Sequence, residues 1–150
     1  MAIEDYPLIL EGAIDQNAII QECVANGAIP QWSPVILVAA GSGETLPRVG
    51  TTTTSADENV YGVKVYPNKT VAAGDIVYVV VYGRCKCKVN AATTSLKRAL
   101  MTSTVAGSAT PVITAENTSA TFAEVVGTAA TAAGDIIAVM VKPGGGGIIA

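Results

Sequence analysis

The sequence predicts an all-β protein, a small barrel or sandwich, on three observations. First, its 150 residues hold nineteen valines, thirteen isoleucines and sixteen threonines against six leucines. Such β-branched side chains fit a pleated surface and crowd a helix. Second, apolar residues fall in short runs or alternate with period two. Third, the runs are separated by turn formers such as Asn26-Gly27, Gly41-Ser42-Gly43 and Pro67-Asn68.

Each element follows from these signals. Residues 1–17 read as an extended N-terminal arm: Met1 to Ile14 has no clean period, and Tyr6-Pro7-Leu8-Ile9-Leu10 is an apolar patch followed by Gly12. Such a segment orders against another subunit. Residues 18–142 form the β domain. Ala18 to Val24 is the first strand and Val35 to Val38, behind Pro34, the second, with Gly41 to Glu44 as the next turn. Gly50 to Asn59 is a polar loop. Val60 to Tyr66 alternates as a half-buried strand. Gly74-Asp75 turns the chain into the longest strand, Ile76 to Tyr82. Beyond Gly83 the alternation resumes, with Cys85, Cys87 and Val89 on one face and Arg84, Lys86 and Lys88 on the other. Thr93 to Met101 is a helical turn capped by Thr93 or Thr94, or else a loop into a short strand. Ala106 to Ala120 is loop. Phe122 to Ala130 and Ile136 to Val141 are the last strands, and residues 143–150 are a glycine-rich tail.

An internal repeat links two of these strands. Ala72-Ala73-Gly74-Asp75-Ile76-Val77 matches Ala132-Ala133-Gly134-Asp135-Ile136-Ile137, each copy preceded by a Val-x-Gly strand. Two copies are too few for a solenoid and fit two similar β units packed together.

Composition excludes several functions. The chain has no histidine, the commonest general base and metal ligand. Its net charge is −3, and its nine Lys and Arg are scattered, so no nucleic-acid partner is expected. The longest apolar run is far short of the ~20 residues that span a bilayer, so no membrane partner is expected. The acidic N-terminus is not a secretory signal, and three cysteines make no disulfide framework. The expectation is synthesis in a reducing cytoplasm. Only 14% of residues are charged, and the mean hydropathy is +0.46. That leaves much neutral surface for a monomer and predicts a homo-oligomer or an assembly.

No catalytic constellation emerges, so no enzyme, cofactor or metal is expected. Asp75 and Asp135 sit where an aspartate bonds its own turn. Gly41 to Thr45 lacks the lysine of a phosphate loop. Cys85 and Cys87 fall short of a zinc site and read as core thiols. Arg84, Lys86 and Lys88 form a basic stripe, either a solvated strand face or a contact for an acidic partner.

The Val-rich strands with "AAGD-I-V" turns and "VYGRCKCKV", carried by Gly62, Gly74, Asp75, Gly83, Gly127, Gly134 and Asp135, resemble the small capsid decoration (cement) proteins of tailed viruses. That family is related in architecture to lambda-type head decoration proteins. The resemblance covers roughly Ala18 to Lys142. It implies a compact β-barrel or β-tulip-like domain, usually trimeric, on the capsid surface of a virion. Such a protein clamps adjacent major capsid proteins against internal DNA pressure. The arm of that family supplies contacts, which here nominates Tyr6, Leu8, Ile9 and Leu10, with Arg84, Lys86 and Lys88 as contacts on the β domain. The alternative reading is a spike- or adhesin-like β module that binds a host-surface glycan.

Overall fold

A computed structural model describes residues 14–112 and 120–142, which hold nine strands. The apolar patch Tyr6 to Leu10 and the glycine-rich tail lie outside the described residues. In chain order the strands are β1 (Ile19–Ala25), β2 (Pro34–Val38), β3 (Arg48–Gly50), β4 (Val60–Tyr66), β5 (Ile76–Lys88), β6 (Ala99–Thr102), β7 (Ala109–Pro111), β8 (Ala123–Val125) and β9 (Ile136–Val141).

The first five strands close a barrel. β1 runs parallel to β3, β3 antiparallel to β2, β2 to β4, β4 to β5, and β5 returns antiparallel to β1. Closure removes the open edges that a flat sheet would expose. The second half of the chain repeats this order. β5 pairs with β9, β9 with β8, β8 with β6, and β6 with β7, all antiparallel. The parallel bridge Val89↔Ala109 then closes a second ring. Register confirms the equivalence: Cys23 faces Val77 as Cys87 faces Ile137, and Ala25 faces Val49 as Val89 faces Ala109. Asn26 and Asn90 donate their N–H groups to the carbonyls of Val49 and Ala109, at 2.7 and 2.9 Å.

The two rings share one strand. Residues 76–82 of β5 end the first ring, and residues 83–88 begin the second. Gly83 marks the handover with φ at 123°, and a Cβ there would come within 2.7 Å of the Ala18 Cβ. Only glycine meets both demands without strain.

Each ring has its own core. Cys23, Ala25, Ile29, Val35, Val49, Val71, Val77 and Val79 fill the first. Leu100, Phe122, Val125, Val139 and Val141 anchor the second, together with Cys85, Cys87 and Val89. Val63, Val65 and Val80 belong to this second cluster although their strands belong to the first ring, so they weld the two units. That double duty explains why adjacent Val79 and Val80 are both fully buried. One face of β5 looks into the first ring and the other meets the second.

Between Val63 and Val65 lies Lys64, which is fully buried. Its ammonium donates to Gln31 Oε1 at 2.9 Å and to the carbonyls of Pro67 and Lys69. Those three acceptors satisfy its three donors, and burial pulls its pKa down to about 8, with Lys69 adding to the shift.

Four expectations change. The strand expected to be half-buried, Val60 to Tyr66, buries all of Gly62 to Val65, because it packs against both cores. Thr93 to Met101 is loop followed by β6, which takes the loop-to-strand alternative. The strand expected over Phe122 to Ala130 is shorter, β8 with three residues. The loop expected over Ala106 to Ala120 contains β7.

Candidate docking surface

The second half of β5 builds this surface by alternation. Cys85, Cys87 and Val89 point inward and are at most 3% exposed, while Arg84 and Lys86 face outward and Lys88 is half-buried. The antiparallel register with β9 sets Arg84 opposite Met140, Lys86 opposite Ala138 and Lys88 opposite Ile136. Directly opposed side chains share a face, so a basic column stands beside an apolar one. Ile136 is 51% exposed and Val126, beyond β8, 39%.

Two depressions mark this face. One, about 630 Å³, is lined by Ile14 to Asn17, Arg84, Lys86, Val126, Gly127 and Ala138. The other, about 540 Å³, adjoins it across Gly127 and Ala138 and reaches Ile136. The chain enters at its lip. Ile14 is buried and bridges Cys85, and the Asp15 N–H donates to the Arg84 carbonyl at 2.8 Å. Asp15 accepts the Asn17 N–H at 3.0 Å and Arg84 Nε at 3.4 Å. The Asn17 bond, helped by Arg84, holds its carboxyl below the usual range. Arg84 is thus partly compensated. Among the described residues, neither Lys86 nor Lys88 has an ion pair.

Arg84, Lys86 and Lys88, nominated from sequence, lie together here. Tyr6, Leu8, Ile9 and Leu10 lie outside the described residues. Sequence reasoning missed the apolar column Ile136, Ala138 and Met140. Its period-two spacing was visible, but only the register with β5 places it beside the cations.

The other candidates have structural roles. Asp75 accepts the Ala72 N–H at 2.9 Å. Asp135 accepts the N–H groups of Thr131 and Ala132 at 2.9 and 3.1 Å, and these bonds lower its pKa. Gly74 and Gly134 supply the positive φ of these turns, 89° and 90°. The Gly41 to Glu44 loop joins β2 to β3, with Glu44 accepting the Gly41 N–H at 2.7 Å and pairing with Arg48. Cys23, Cys85 and Cys87 are free and buried. Burial raises all three thiols, Cys23 to about 11. They are therefore poor nucleophiles. Among the described residues, no group of three or more Cys, Asp or Glu could hold a metal. No helix of the described residues is long and apolar enough to cross a membrane.

No family model matches this chain, and no curated protein matches it. Its fold is similar to a solved structure, the head fiber gp8.5 N base in bacteriophage phi29. The TM-score is 0.56 at 13% sequence identity, covering 83% of this chain and 93% of that one. The likeness spans both rings, and it establishes a shared all-β architecture.

Proposed function

We propose that this chain is a structural protein of a phage head, which sits on the outer capsid surface and cements adjacent major capsid proteins. The observation that carries this reading is the fold shared with a head fiber base over most of both chains. The surface supports it: a basic column in which Lys86 and Lys88 have no ion pair among the described residues, beside exposed Ile136 and Val126, suits a protein neighbour. In this reading the protein works as a homotrimer, and Tyr6, Leu8, Ile9, Leu10, Arg84, Lys86 and Lys88 are its contact candidates in the assembly. It performs no catalysis. It is made in the host cytoplasm and ends in the virion. Many weak contacts repeated over an oligomer and a lattice give firm attachment without one large interface.

Cryo-electron microscopy of heads of the encoding virus, with and without this chain, tests the proposal. The expected result is ordered density at repeated outer lattice positions, lost when the chain is omitted. Heads carrying it should also survive heating that bursts bare heads. Heads without such density, or density confined to the interior or tail, would overturn it.

A further inference from the structure

We infer that the face formed by β5 and β9 receives residues 3–11 of a second copy of this chain. The inference deepens the oligomer in the reading above and does not depend on the capsid.

The receiving face has two chemistries side by side. Lys86 and Lys88 carry charge without a partner among the described residues, and Ala138 and Ile136 stand directly across from them. An occupant that fits must bring carboxylates and apolar side chains at close intervals. Residues 3–11, Ile-Glu-Asp-Tyr-Pro-Leu-Ile-Leu-Glu, do so. They hold Glu4, Asp5 and Glu11, no Lys or Arg, and the apolar group Tyr6, Leu8, Ile9 and Leu10. Opposite charges steer the encounter and fix register, while apolar contact supplies affinity.

Chain length favours a second copy over self-docking. The segment leaves the described chain at Ile14, which bridges Cys85 at one end of the basic column. From Cys85 to Lys88 is three residues, about 10 Å of strand. From Ile14 back to Leu10 is four residues and to Tyr6 eight, about 13 and 26 Å when extended. To lay Glu4 to Leu10 along its own column the chain would have to double back on itself, which docking on a second copy does not require. Exchange of such segments between identical copies gives each face one occupant, so a closed ring of subunits leaves none unfilled.

The test is a charge swap on the full-length protein, read by sedimentation equilibrium over concentration and salt. The wild type should be oligomeric and should weaken with salt. Lys86→Glu with Lys88→Glu should raise the dissociation constant at least tenfold, and Glu4→Lys with Asp5→Lys should do the same. All four substitutions together should restore it to within a few fold of wild type. Ala138→Arg, at an exposed site, should block the face with the melting temperature unchanged. Failure of the fourfold swap to rescue would overturn the inference, as would swaps that leave the oligomer untouched while head binding is lost, since the face would then belong to a capsid protein. An oligomer indifferent to every variant sinks this inference alone. A monomeric wild type sinks the proposed oligomer with it.

Discussion

The two rings have the same strand order and pairing but differ in how they are built. The first has β4 with seven residues, and two parallel pairs join β1 to β3. The second uses β6, β7 and β8, with four, three and three residues, and closes on the single bridge Val89↔Ala109. The second compensates with larger side chains: Phe122 and Leu100 are fully buried there, whereas the first core is mostly valine, with Cys23, Ala25 and Ile29. Long ladders filled by small residues and short ladders filled by large ones reach the same topology. What both retain is the Ala-Ala-Gly-Asp turn and a buried cysteine followed three residues later by asparagine. The shared requirement is therefore local geometry at the turn and the strand end, not a particular core.

The sharpest way to break this comparison is through the glycine of each Val-x-Gly run, Gly62 and Gly127. A Cβ on Gly62 would lie 2.1 Å from the Val80 carbonyl oxygen, where β4 and β5 pass too close for any side chain. A Cβ on Gly127, just past β8, would meet the exposed Ala138 Cβ at 2.9 Å, a smaller overlap. Gly62→Ala should cost about 3 kcal/mol or more, and Gly127→Ala about 1 kcal/mol. Urea unfolding measures both. Equal costs would show that the first ring is not held more tightly than the second.

Lys64 sharpens the difference next. Its register partner is Val79, and the equivalent partner Val139 of the second ring faces Val125, so a buried lysine stands where the other copy has valine. Its folded pKa of about 8 lies below the ordinary lysine value of 10.5. Between these values the unfolded chain holds the proton and the folded one sheds it, so this group adds stability as pH rises and withdraws it as pH falls through about 8. Cys23, raised to about 11, acts in the opposite sense at alkaline pH. Comparison with Lys64→Met cancels that contribution. Wild type should gain about 2–3 kcal/mol on the variant between pH 8 and pH 10.5. A difference independent of pH would place the amine in water.

How much of this was legible depends on what each strand buries. β5 could be read because beyond Gly83 it alternates, one face in and one face out, and β4 because its sequence alternates, although Gly62 to Val65 are all buried. β6 could not, since Ala99, Leu100, Met101 and Thr102 are all buried and burial on both faces erases the period. β3 and β7 are three residues each and contain glycine or proline, and they exist because a ring needs closing, a long-range demand. The repeat was half visible. The turns match over six residues, but the first strands share only Cys23 with Cys87 and Asn26 with Asn90, too little to see without register. Lys64 was invisible because a lysine in an alternating strand reads as solvent-facing. The basic stripe was legible in full. Its apolar partner was not, because β5 and β9 are separated by forty-seven residues of chain between Lys88 and Ile136.

The smallest expected effect concerns the turn both rings retain. Asp135 accepts two backbone N–H groups and the Thr131 hydroxyl, whereas Asp75 accepts the Ala72 N–H. Hydrogen bonds to a carboxylate favour its charged form, and those at Asp135 lower its pKa from 3.8. Its contribution is therefore present at neutral pH and lost as pH falls below the ordinary aspartate range. Asp135→Ala should lower the melting temperature more than Asp75→Ala at neutral pH, and the gap should narrow at about pH 3. Both shifts should be slight, because the turns are exposed and Gly74 and Gly134 keep their backbone geometry. Thermal melts of the two variants, side by side at both pH values, check this. If Asp75 proves the costlier loss, the first ring depends on its turn more than the second, and the longer ladder of β4 is not what makes it robust.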